Sequence, residues 1–300
     1  MMADDPPDMT GTEPLAQRAA LCIGKFDALH RGHRSLVEAA RQFGPPGLLS
    51  FTGMAEVLGW PPRQPLVAPS ERAGVLRAWD CAEVFLPFTQ VQPLDAAAFI
   101  ALVRNRFDPV ALVVGDDFRG GRGRSTDADT LAAVARDQGL PLIIVPRLSD
   151  SVGPISSSRI RERLTAGDVA GLAALSGRPH RLVGTVARGD GRGRQLGFPT
   201  ANCAKRENAE PAQGVYAAWA EVLGQRLPAA VNVGRLPSVA PDRPLTVEAH
   251  LLDWTGDCYG QRLVLEFVER IRAEQRFPDL AALAAQIRQD VTLAGNILDV

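Results

Sequence analysis

The sequence predicts an α/β domain built on a doubly wound parallel sheet, followed by a small antiparallel β-barrel that a helix closes. Between Ala19 and Leu164, short apolar runs alternate with helix-like segments, as in parallel sheets covered by helices on both faces. From Arg181 to Val268 the apolar positions alternate within short runs, and the connections carry Gly and Pro. A length of 300 residues is also more typical of two domains than of one.

Five short apolar runs mark the strands of the first domain, which we place at residues 19–180. They cover residues 21–23, 48–51, 84–86, 110–114 and 142–145. Helix-like segments lie near 32–42, 70–79, 95–106 and 127–138, and two more near 157–176 bridge the domains. Ligands of parallel sheets bind beyond the carboxyl ends of the strands. We therefore expect a site where residues 24–33 and 115–118 leave two of these strands.

The second domain, placed at residues 181–300, is rich in predicted strands. Its alternating apolar runs cover 182–186, 214–219, 229–233, 246–251 and 263–267. Such strands suit a small barrel or a sandwich, and we predict the barrel. Residues 279–297 carry Ala, Leu, Gln and Ile at helical spacing, which predicts the closing helix. Residues 1–18 begin with an acidic, proline-rich stretch, and we predict a disordered tail.

The composition argues against several classes of protein. The formal net charge of −1 gives no basic field for nucleic acid. The four cysteines are too widely spaced for a zinc site and do not indicate an oxidising compartment. No apolar run approaches the roughly 20 residues that span a bilayer, and no signal peptide is recognisable. We expect a cytoplasmic protein without a nucleic-acid or membrane partner, and the sequence indicates no particular protein partner.

Residues 23–33, Ile-Gly-Lys-Phe-Asp-Ala-Leu-His-Arg-Gly-His, are the most informative segment of the chain. A predicted strand delivers the imidazoles of His30 and His33 to the first turn of a helix. That turn has backbone N–H groups and the positive end of the helix dipole, so it favours an anion. The spacing of three puts both rings on one helix face, and Gly32 lets a phosphate approach the backbone. The segment predicts a site that binds the phosphates of a nucleotide. The alternative interpretation is a helix start with two solvated histidines.

Two further segments carry polar groups at the ends of predicted elements. Residues 155–161, Ile-Ser-Ser-Ser-Arg-Ile-Arg, place three hydroxyls before a helix start and two arginines two apart. The serines can simply cap the helix, or hydroxyls, N–H groups and arginines can converge on phosphates. Residues 114–124, Val-Gly-Asp-Asp-Phe-Arg-Gly-Gly-Arg-Gly-Arg, form either a surface loop or an active-site loop at a strand exit.

A glycine-rich segment lies near the start of the second domain. Residues 189–202 read Gly-Asp-Gly-Arg-Gly-Arg-Gln-Leu-Gly-Phe-Pro-Thr-Ala-Asn. The Gly-Lys-Ser/Thr of a Walker A loop is missing from it, and the glycines do not match a Rossmann fingerprint. The glycines can make a wide hairpin or a flexible flap over a nucleotide. Thr200 and Asn202 offer oxygen ligands to a hard cation such as Mg²⁺.

The pattern Gly-x-Phe-Asp-x-x-His-x-Gly-His resembles the first signature of the nucleotidyltransferase superfamily, and residues 155–161 closely resemble the second. With the loop at 114–124, the first domain looks like the adenylyltransferase half of bacterial bifunctional riboflavin kinase/FAD synthetases. The resemblance implies that His30, His33 and Arg161 act as pyrophosphate leaves ATP. It implies further ATP contacts from Gly24, Phe26, Asp27, Gly32, Asp117, Ser157, Ser158 and Arg159.

Residues 189–202 resemble the riboflavin kinase signature of the same family, and Asn232-Val233-Gly234 and Val247-Glu248-Ala249-His250 match two other kinase segments. The resemblance implies that Glu248 is the base for the ribityl 5′-hydroxyl, while His250 is structural or peripheral. It implies ATP contacts from Gly191, Gly193, Gly197, Pro199, Thr200 and Asn202, with Thr200 and Asn202 also holding Mg²⁺. The chain is then expected to convert riboflavin to FMN with one ATP, and FMN to FAD with a second.

Three features of the first domain depart from the family pattern. Lys25 stands where asparagine is usual, Gly120 where an aromatic residue is usual, and residues 50–56 where a Pro-His-Pro segment is usual. These departures leave other functions open. The chain could be a riboflavin kinase with a degenerate adenylyltransferase domain, or a regulator that binds flavin or nucleotide without turnover. It could also be a nucleotidyltransferase for another phosphate ester, fused to a flavin-binding barrel.

Overall fold

The computed structural model describes residues 15, 18–189, 191–234 and 245–300. These residues form two compact units. The first contains the described residues up to Arg63 together with Ser70–Ser156, and the second contains Gln64–Pro69 and Ser157–Val300. The segment Gln64–Pro69 groups with the second unit because the Ala209 N–H donates to the Pro65 carbonyl at 2.9 Å. The predicted tail at residues 1–18 falls almost wholly outside the described residues.

The first unit is built on the predicted parallel sheet. The strands of this unit are β1 Ala20–Ile23, β2 Pro46–Thr52, β3 Ala82–Pro87, β4 Ala111–Gly115, the two-residue β5 Arg119–Gly120 and β6 Thr126–Asp127, and β7 Leu142–Val145. Five of them form one sheet in the order β3-β2-β1-β4-β7, with all neighbours parallel. The central strand β1 is fully buried, so both faces of the sheet are covered there.

The helices of this unit follow the predicted segments and add two short ones. They are α1 Arg31–Ala40, α2 Met54–Leu58, α3 Pro69–Ala78, α4 Phe88–Val91, α5 Ala96–Phe107 and α6 Ala128–Asp137, with a 3-10 turn at Arg122–Arg124. The carboxylates of Asp95 and Asp127 cap α5 and α6 by accepting from backbone N–H groups at 2.8 and 2.9 Å. The predicted α/β fold is thus confirmed.

The second unit contains the predicted barrel. Its elements are α7 Ser157–Ala166, α8 Val169–Ser176, β8 His180–Ala187, α9 Arg192–Gln195, β9 Ala201–Ala204, β10 Gly214–Val222, β11 Gln225–Gly234, β12 Thr246–Leu251, β13 Arg262–Arg272 and α10 Leu280–Ile297. Six antiparallel strands close in the order β10-β11-β12-β9-β8-β13. The closing helix α10 is held to β13 by Arg272, which donates to both oxygens of the buried Asp290 carboxylate at 2.9 and 2.7 Å. Barrel and closing helix are both confirmed.

Helices α7 and α8 group with the barrel. Val169 of α8 lies in the apolar core of the barrel, and the Leu164 carbonyl of α7 accepts from the Ala212 N–H at 3.0 Å. The division between the units therefore falls between Ser156 and Ser157. It precedes the predicted domain boundary at 180/181, because packing and backbone bonding attach these helices to the barrel. Sequence periodicity carries no signal for that attachment.

Candidate active sites

Loops that leave three neighbouring strands of the first unit surround one cavity. Strands β2, β1 and β4 are adjacent and parallel, so their carboxyl ends lie on the same edge of the sheet. The cavity has a volume of about 380 Å³, within the range of small-molecule sites. Gly24, Phe26, His33 and Asp117 all line it. The two predicted strand exits at 24–33 and 115–118 thus contribute to the same cavity.

The two histidines form the hydrogen-bonded cap that starts α1. Nδ1 of His30 accepts from the His33 backbone N–H at 3.2 Å, and Nδ1 of His33 accepts from the His30 N–H at 3.4 Å. Their rings stack with centroids 3.6 Å apart. Because each Nδ1 accepts, each neutral ring carries its proton on Nε2. That is the atom with which an imidazole can donate to a phosphate oxygen.

The neighbours of the histidines explain the rest of the motif. His33 lines the cavity, and its ring meets the edge of the buried Phe26 ring at a centroid distance of 5.0 Å. His30 is buried, with only 5% of its surface exposed. A Cβ on Gly32 would lie 3.1 Å from the His30 ring, and one on Gly24 would lie 3.1 Å from the Phe26 ring. A side chain at either position would therefore press against a ring, so both glycines suit the ring packing, besides any phosphate approach at Gly32.

A buried ion pair, missed from the sequence, holds the loop that contains the first motif. Arg72 of α3 donates to both oxygens of Glu83 on β3 at 2.6 Å, and to the Phe26 carbonyl at 2.8 Å. The Glu83 side chain is fully buried and also accepts from the Ser50 hydroxyl. The pair thus connects β2, β3 and α3 to the backbone between Lys25 and Asp27. The one sequence signal was a carboxylate inside an apolar strand, because a buried charge needs a partner.

Aromatic side chains form much of the remaining cavity wall. Phe51, Phe88, Phe99 and Phe118 line the cavity from four separate segments. A Cβ on Gly120 would lie 2.8 Å from the Phe118 ring, so the Phe118 ring occupies the space beside Gly120. Sequence reasoning did not find this wall, because single aromatic residues in separate elements leave no motif.

The loop after β4 also brings charged groups to the cavity. Asp117 is exposed and lies 4.0 Å from the Arg147 guanidinium, while Asp116 pairs with the same guanidinium at 2.8 Å. Asp27 is half-buried within the loop between β1 and α1. Of these acidic residues, Asp117 lines the cavity, and it already faces a cation.

The second signature forms the first turn of α7. The helix begins at Ser157, so only Ser156 precedes it, and the prediction of three hydroxyls before the helix start is wrong. Ser157, Arg159 and Arg161 are half-buried, and Ser158 is exposed. This turn belongs to the second unit, whereas the histidine pair belongs to the first. That both signatures act on one nucleotide stays a prediction.

A row of polar side chains crosses three neighbouring strands of the barrel. Glu248 on β12 is directly opposite Asn202 on β9 and Asn232 on β11. Directly opposite residues project to the same face of a sheet, so the three side chains are neighbours. The Thr200 hydroxyl donates to Glu248 Oε2 at 3.3 Å. The structure thus brings Thr200, Asn202 and Glu248 together and adds Asn232, to which sequence reasoning assigned no role.

The segment between β8 and β9 contains the short helix α9 where a hairpin or flap was considered. Gly191 and Gly197 flank this helix with φ of 70° and 87°, a region that favours glycine. A Cβ on Gly189 would lie 2.6 Å from the Asn202 amide oxygen, and one on Gly193 would overlap the Phe198 carbonyl. His250 Nδ1 bonds the Pro199 carbonyl at 2.8 Å. His250 therefore fixes the backbone next to Thr200.

Comparison with known proteins matches both halves of the chain. A riboflavin kinase family model matches residues 176–298, and a FAD synthetase family model matches residues 12–159. The bifunctional riboflavin kinase/FMN adenylyltransferase of Pseudomonas fluorescens is 34% identical over 281 residues, which cover 91% of this chain and 90% of that protein. The chain belongs to this bifunctional family. The Escherichia coli K12 protein of the same name is 33% identical, with 90% of each chain covered.

A solved structure extends the likeness to the whole fold. It is described as a macrolide-efflux protein from Streptococcus pneumoniae, superposes with a TM-score of 0.86 and is 27% identical. The match covers 96% of this chain and 97% of that one. In the part of the chain that the structure describes, no helix is long and apolar enough to cross a membrane.

The departures of this family member lie at the cavity. The segment at 50–56, which stands where Pro-His-Pro is usual, covers the end of β2 and the start of α2. Helix α2 lies between Gly53 and Gly59, whose φ values are 69° and 64°. Met54 and Leu58 of α2 line the cavity, as do Lys25 and Gly120. All three departures therefore contribute residues to the wall of one cavity.

We expect the pair of Arg72 and Glu83 to be needed for adenylyl transfer beyond its effect on stability. Arg72→Met alone buries a carboxylate without its cation, which costs about 3–5 kcal/mol and lowers the thermal midpoint. Combined Arg72→Met and Glu83→Met removes both charges and recovers most of that stability. The Phe26 carbonyl still lacks its donor, so we expect FAD formation to stay about tenfold reduced, as for one lost charged hydrogen bond.

The measurement is FAD formation from FMN and ATP, with thermal melting of each variant. The riboflavin kinase rate of the same protein is the internal control and should not change. Recovery of both stability and FAD formation in the double variant would show that the pair only stabilises the unit.

Proposed function

We propose that this chain makes FMN from riboflavin and FAD from FMN, with a separate ATP-dependent site for each reaction. Membership of the bifunctional family supports both reactions. The observation that carries the proposal is the presence of two separate polar constellations in one chain. One is the stacked histidine pair at an aromatic cavity, and the other is the row of Thr200, Asn202, Glu248 and Asn232 on the barrel.

At the kinase site we propose Glu248 as the general base. Its carboxylate takes the proton of the ribityl 5′-hydroxyl as the hydroxyl oxygen attacks the γ-phosphorus of ATP and ADP leaves. The Thr200 hydroxyl donates to Glu248 Oε2 at 3.3 Å, which orients this carboxylate. The glycines at 191, 193 and 197 allow the backbone next to Thr200 to lie close to the phosphates of ATP. His250 supports that segment through the Pro199 carbonyl.

At the sheet site we propose adenylyl transfer without an enzyme nucleophile. An oxygen of the FMN phosphate attacks the α-phosphorus of ATP, the bond from this phosphorus to the bridging oxygen breaks, and pyrophosphate leaves. The protein positions the reactants and stabilises the charge of the departing group. His33 donates from Nε2, His30 holds His33 in place, and Arg161 acts on the same phosphates. Gly24, Phe26, Asp27, Gly32, Asp117, Ser157, Ser158 and Arg159 complete the proposed ATP site.

The aromatic wall of the cavity is the proposed place for the flavin ring. An isoalloxazine ring is flat and largely apolar, and Phe51, Phe88, Phe99 and Phe118 offer apolar surface beside His33. FMN bound there would have its reacting phosphate near the start of α1. This arrangement supports FMN, and not a smaller phosphate ester, as the acceptor.

Enzymes that transfer phosphoryl or adenylyl groups from ATP generally need a divalent cation. Thr200, Asn202 and Glu248 bring hard oxygen donors together on the barrel, which fits Mg²⁺. Among the described residues no group of three or more His, Cys, Asp or Glu could hold a metal ion. We therefore propose that Thr200 and Asn202 hold Mg²⁺ jointly with the ATP phosphates, where it would neutralise phosphate charge. The four cysteines are buried free thiols, which suits the proposed cytoplasmic location.

Incubation with riboflavin, ATP and Mg²⁺, followed by chromatography of the flavins, tests the proposal. FMN should form first and FAD should follow. Accumulation of FMN without FAD, even when FMN is supplied, would leave only the kinase. No conversion of either flavin would favour a binding protein without turnover.

His33→Ala should abolish FAD formation and leave FMN formation intact. Loss of one oriented donor to a phosphoryl transition state costs about 10²–10³-fold in rate, so we expect at least a hundredfold fall. His250→Ala, a histidine of the barrel, should keep adenylyl transfer and serves as the matched control. Parallel loss of both reactions in a folded His33→Ala protein would refute separate sites.

Glu248→Gln should have the converse effect. Loss of a general base lowers a rate by about 10²–10⁴-fold, so FMN formation should fall by at least a hundredfold while FMN is still converted to FAD. Glu221→Gln changes a carboxylate on β10 that pairs with Arg181, outside the polar row, and should leave both rates unchanged. An unchanged riboflavin kinase rate in Glu248→Gln would remove this residue as the base.

A further inference from the structure

Lys25 is held against an aromatic ring at the wall of the cavity in the first unit. Its Nζ lies 4.1 Å from the centroid of the Trp60 ring, a cation–π distance. The Trp60 backbone N–H donates to the Ala55 carbonyl of α2 at 2.9 Å, which fixes the tryptophan to that helix. Lys25 itself lines the cavity, two residues after the end of β1. An ammonium group is thus kept at the cavity, where an unrestrained lysine side chain would extend into water.

Arg124 brings a second cation to the same cavity. It ends the 3-10 turn after β5, with its backbone at φ 60°, a conformation that non-glycine residues rarely adopt. Arg124 lines the cavity together with Lys25. Partial loss of water around Lys25, with the repulsion by Arg124, lowers the pKa of Lys25. Two cations that repel each other at one cavity wall make that wall favourable for an anion.

The carboxylates that line the same cavity are already engaged elsewhere. Asp95 accepts from the Ala98 N–H at 2.8 Å and caps α5. Asp117 lies 4.0 Å from the Arg147 guanidinium. Neither contact involves Lys25 or Arg124.

The apolar lining of the cavity indicates which phosphate this wall meets. Met54 and Leu58 of α2, the helix that Trp60 follows, line the same cavity as Lys25, Arg124 and the four phenylalanines. The ammonium group is therefore held at the cavity that is proposed to take the flavin ring. The phosphate of FMN carries nearly two negative charges at neutral pH and is joined to that ring by a short ribityl chain.

We infer that Lys25 and Arg124 bind the phosphate of the acceptor FMN and thereby select the phosphorylated flavin for adenylyl transfer. The inference rests on the adenylyl-transfer function proposed above. Charge-assisted hydrogen bonds to phosphate are about twice as strong as neutral ones, so the pair favours FMN over flavins without a phosphate. Lys25, held by Trp60, fixes the position of this charge.

Steady-state FAD formation from FMN and ATP tests the inference with Lys25→Met, Lys25→Arg and Arg124→Met. Lumiflavin, which has the flavin ring but no phosphate and no hydroxyl to phosphorylate, serves as the competing ligand. In Lys25→Met we expect the KM for FMN to rise at least about tenfold, as for one lost charged hydrogen bond. The KM for ATP and the inhibition constant of lumiflavin should change less than about twofold, since neither depends on that bond. Lys25→Arg should recover most of the affinity for FMN, and Arg124→Met should resemble Lys25→Met.

Lys205→Met is the matched control, because Lys205 is the only other lysine of the chain and lies in the second unit. The unchanged riboflavin kinase rate reports folding, and Lys25→Gln replaces Lys25→Met if that rate falls. A rise in the KM for ATP alone would overturn the inference, because Lys25 would then act on the donor. An equal loss of FMN and lumiflavin binding would overturn it as well, since the residue would then only shape the cavity. Absence of FAD formation by the wild-type protein would refute the proposed function itself.

Discussion

The reciprocal hydrogen bonds between His30 and His33 are the constraint on which the first site depends. Each ring accepts from the backbone N–H of the other residue, so the same two bonds start α1 and fix the orientation of the imidazoles. A side-chain cap is worth about 0.5–2 kcal/mol, and two caps resist rotation of either ring. The Nε2 protons are therefore held in a fixed direction. Preorganisation of this kind suits a reaction in which the enzyme supplies position and charge but no covalent chemistry.

In the barrel, core packing and strand pairing fix the positions of the polar side chains. Val231, Val247 and Ala249 lie in the apolar core. Because side chains alternate along a strand, Glu248 lies on the other face of β12. Register then sets Asn202 and Asn232 on either side of it. The polar row therefore follows from core packing and strand pairing. In both units, contacts that stabilise the fold also fix the chemical groups.

The elements of the fold were predictable, because buried strands and amphipathic helices leave periodic apolar patterns. The histidines and the Thr200–Asn202 segment were predictable because local motifs carry them. The pair of Arg72 and Glu83 was not predictable, because its contacts link α3, β3 and the loop after β1, which are far apart in the sequence. The aromatic wall and the contact of Lys25 with Trp60 were missed for the same reason. Asn232 lies in a segment that resembles the riboflavin kinase family. Its position beside Glu248, however, depends on the strand register, which could not be read from the sequence.

One chain is proposed to carry two independent sites that are linked only by their shared flavin. Mixing the His33→Ala and Glu248→Gln proteins tests this independence most directly, with riboflavin, ATP and Mg²⁺ as the only substrates and cofactor. Neither variant alone should form FAD from riboflavin, whereas the mixture should form it, because FMN released by one protein is adenylylated by the other. Failure of the mixture, with both folded proteins keeping their remaining single activity, would show that FMN must pass within one chain. Loss of both activities in either folded protein would contradict two separate sites.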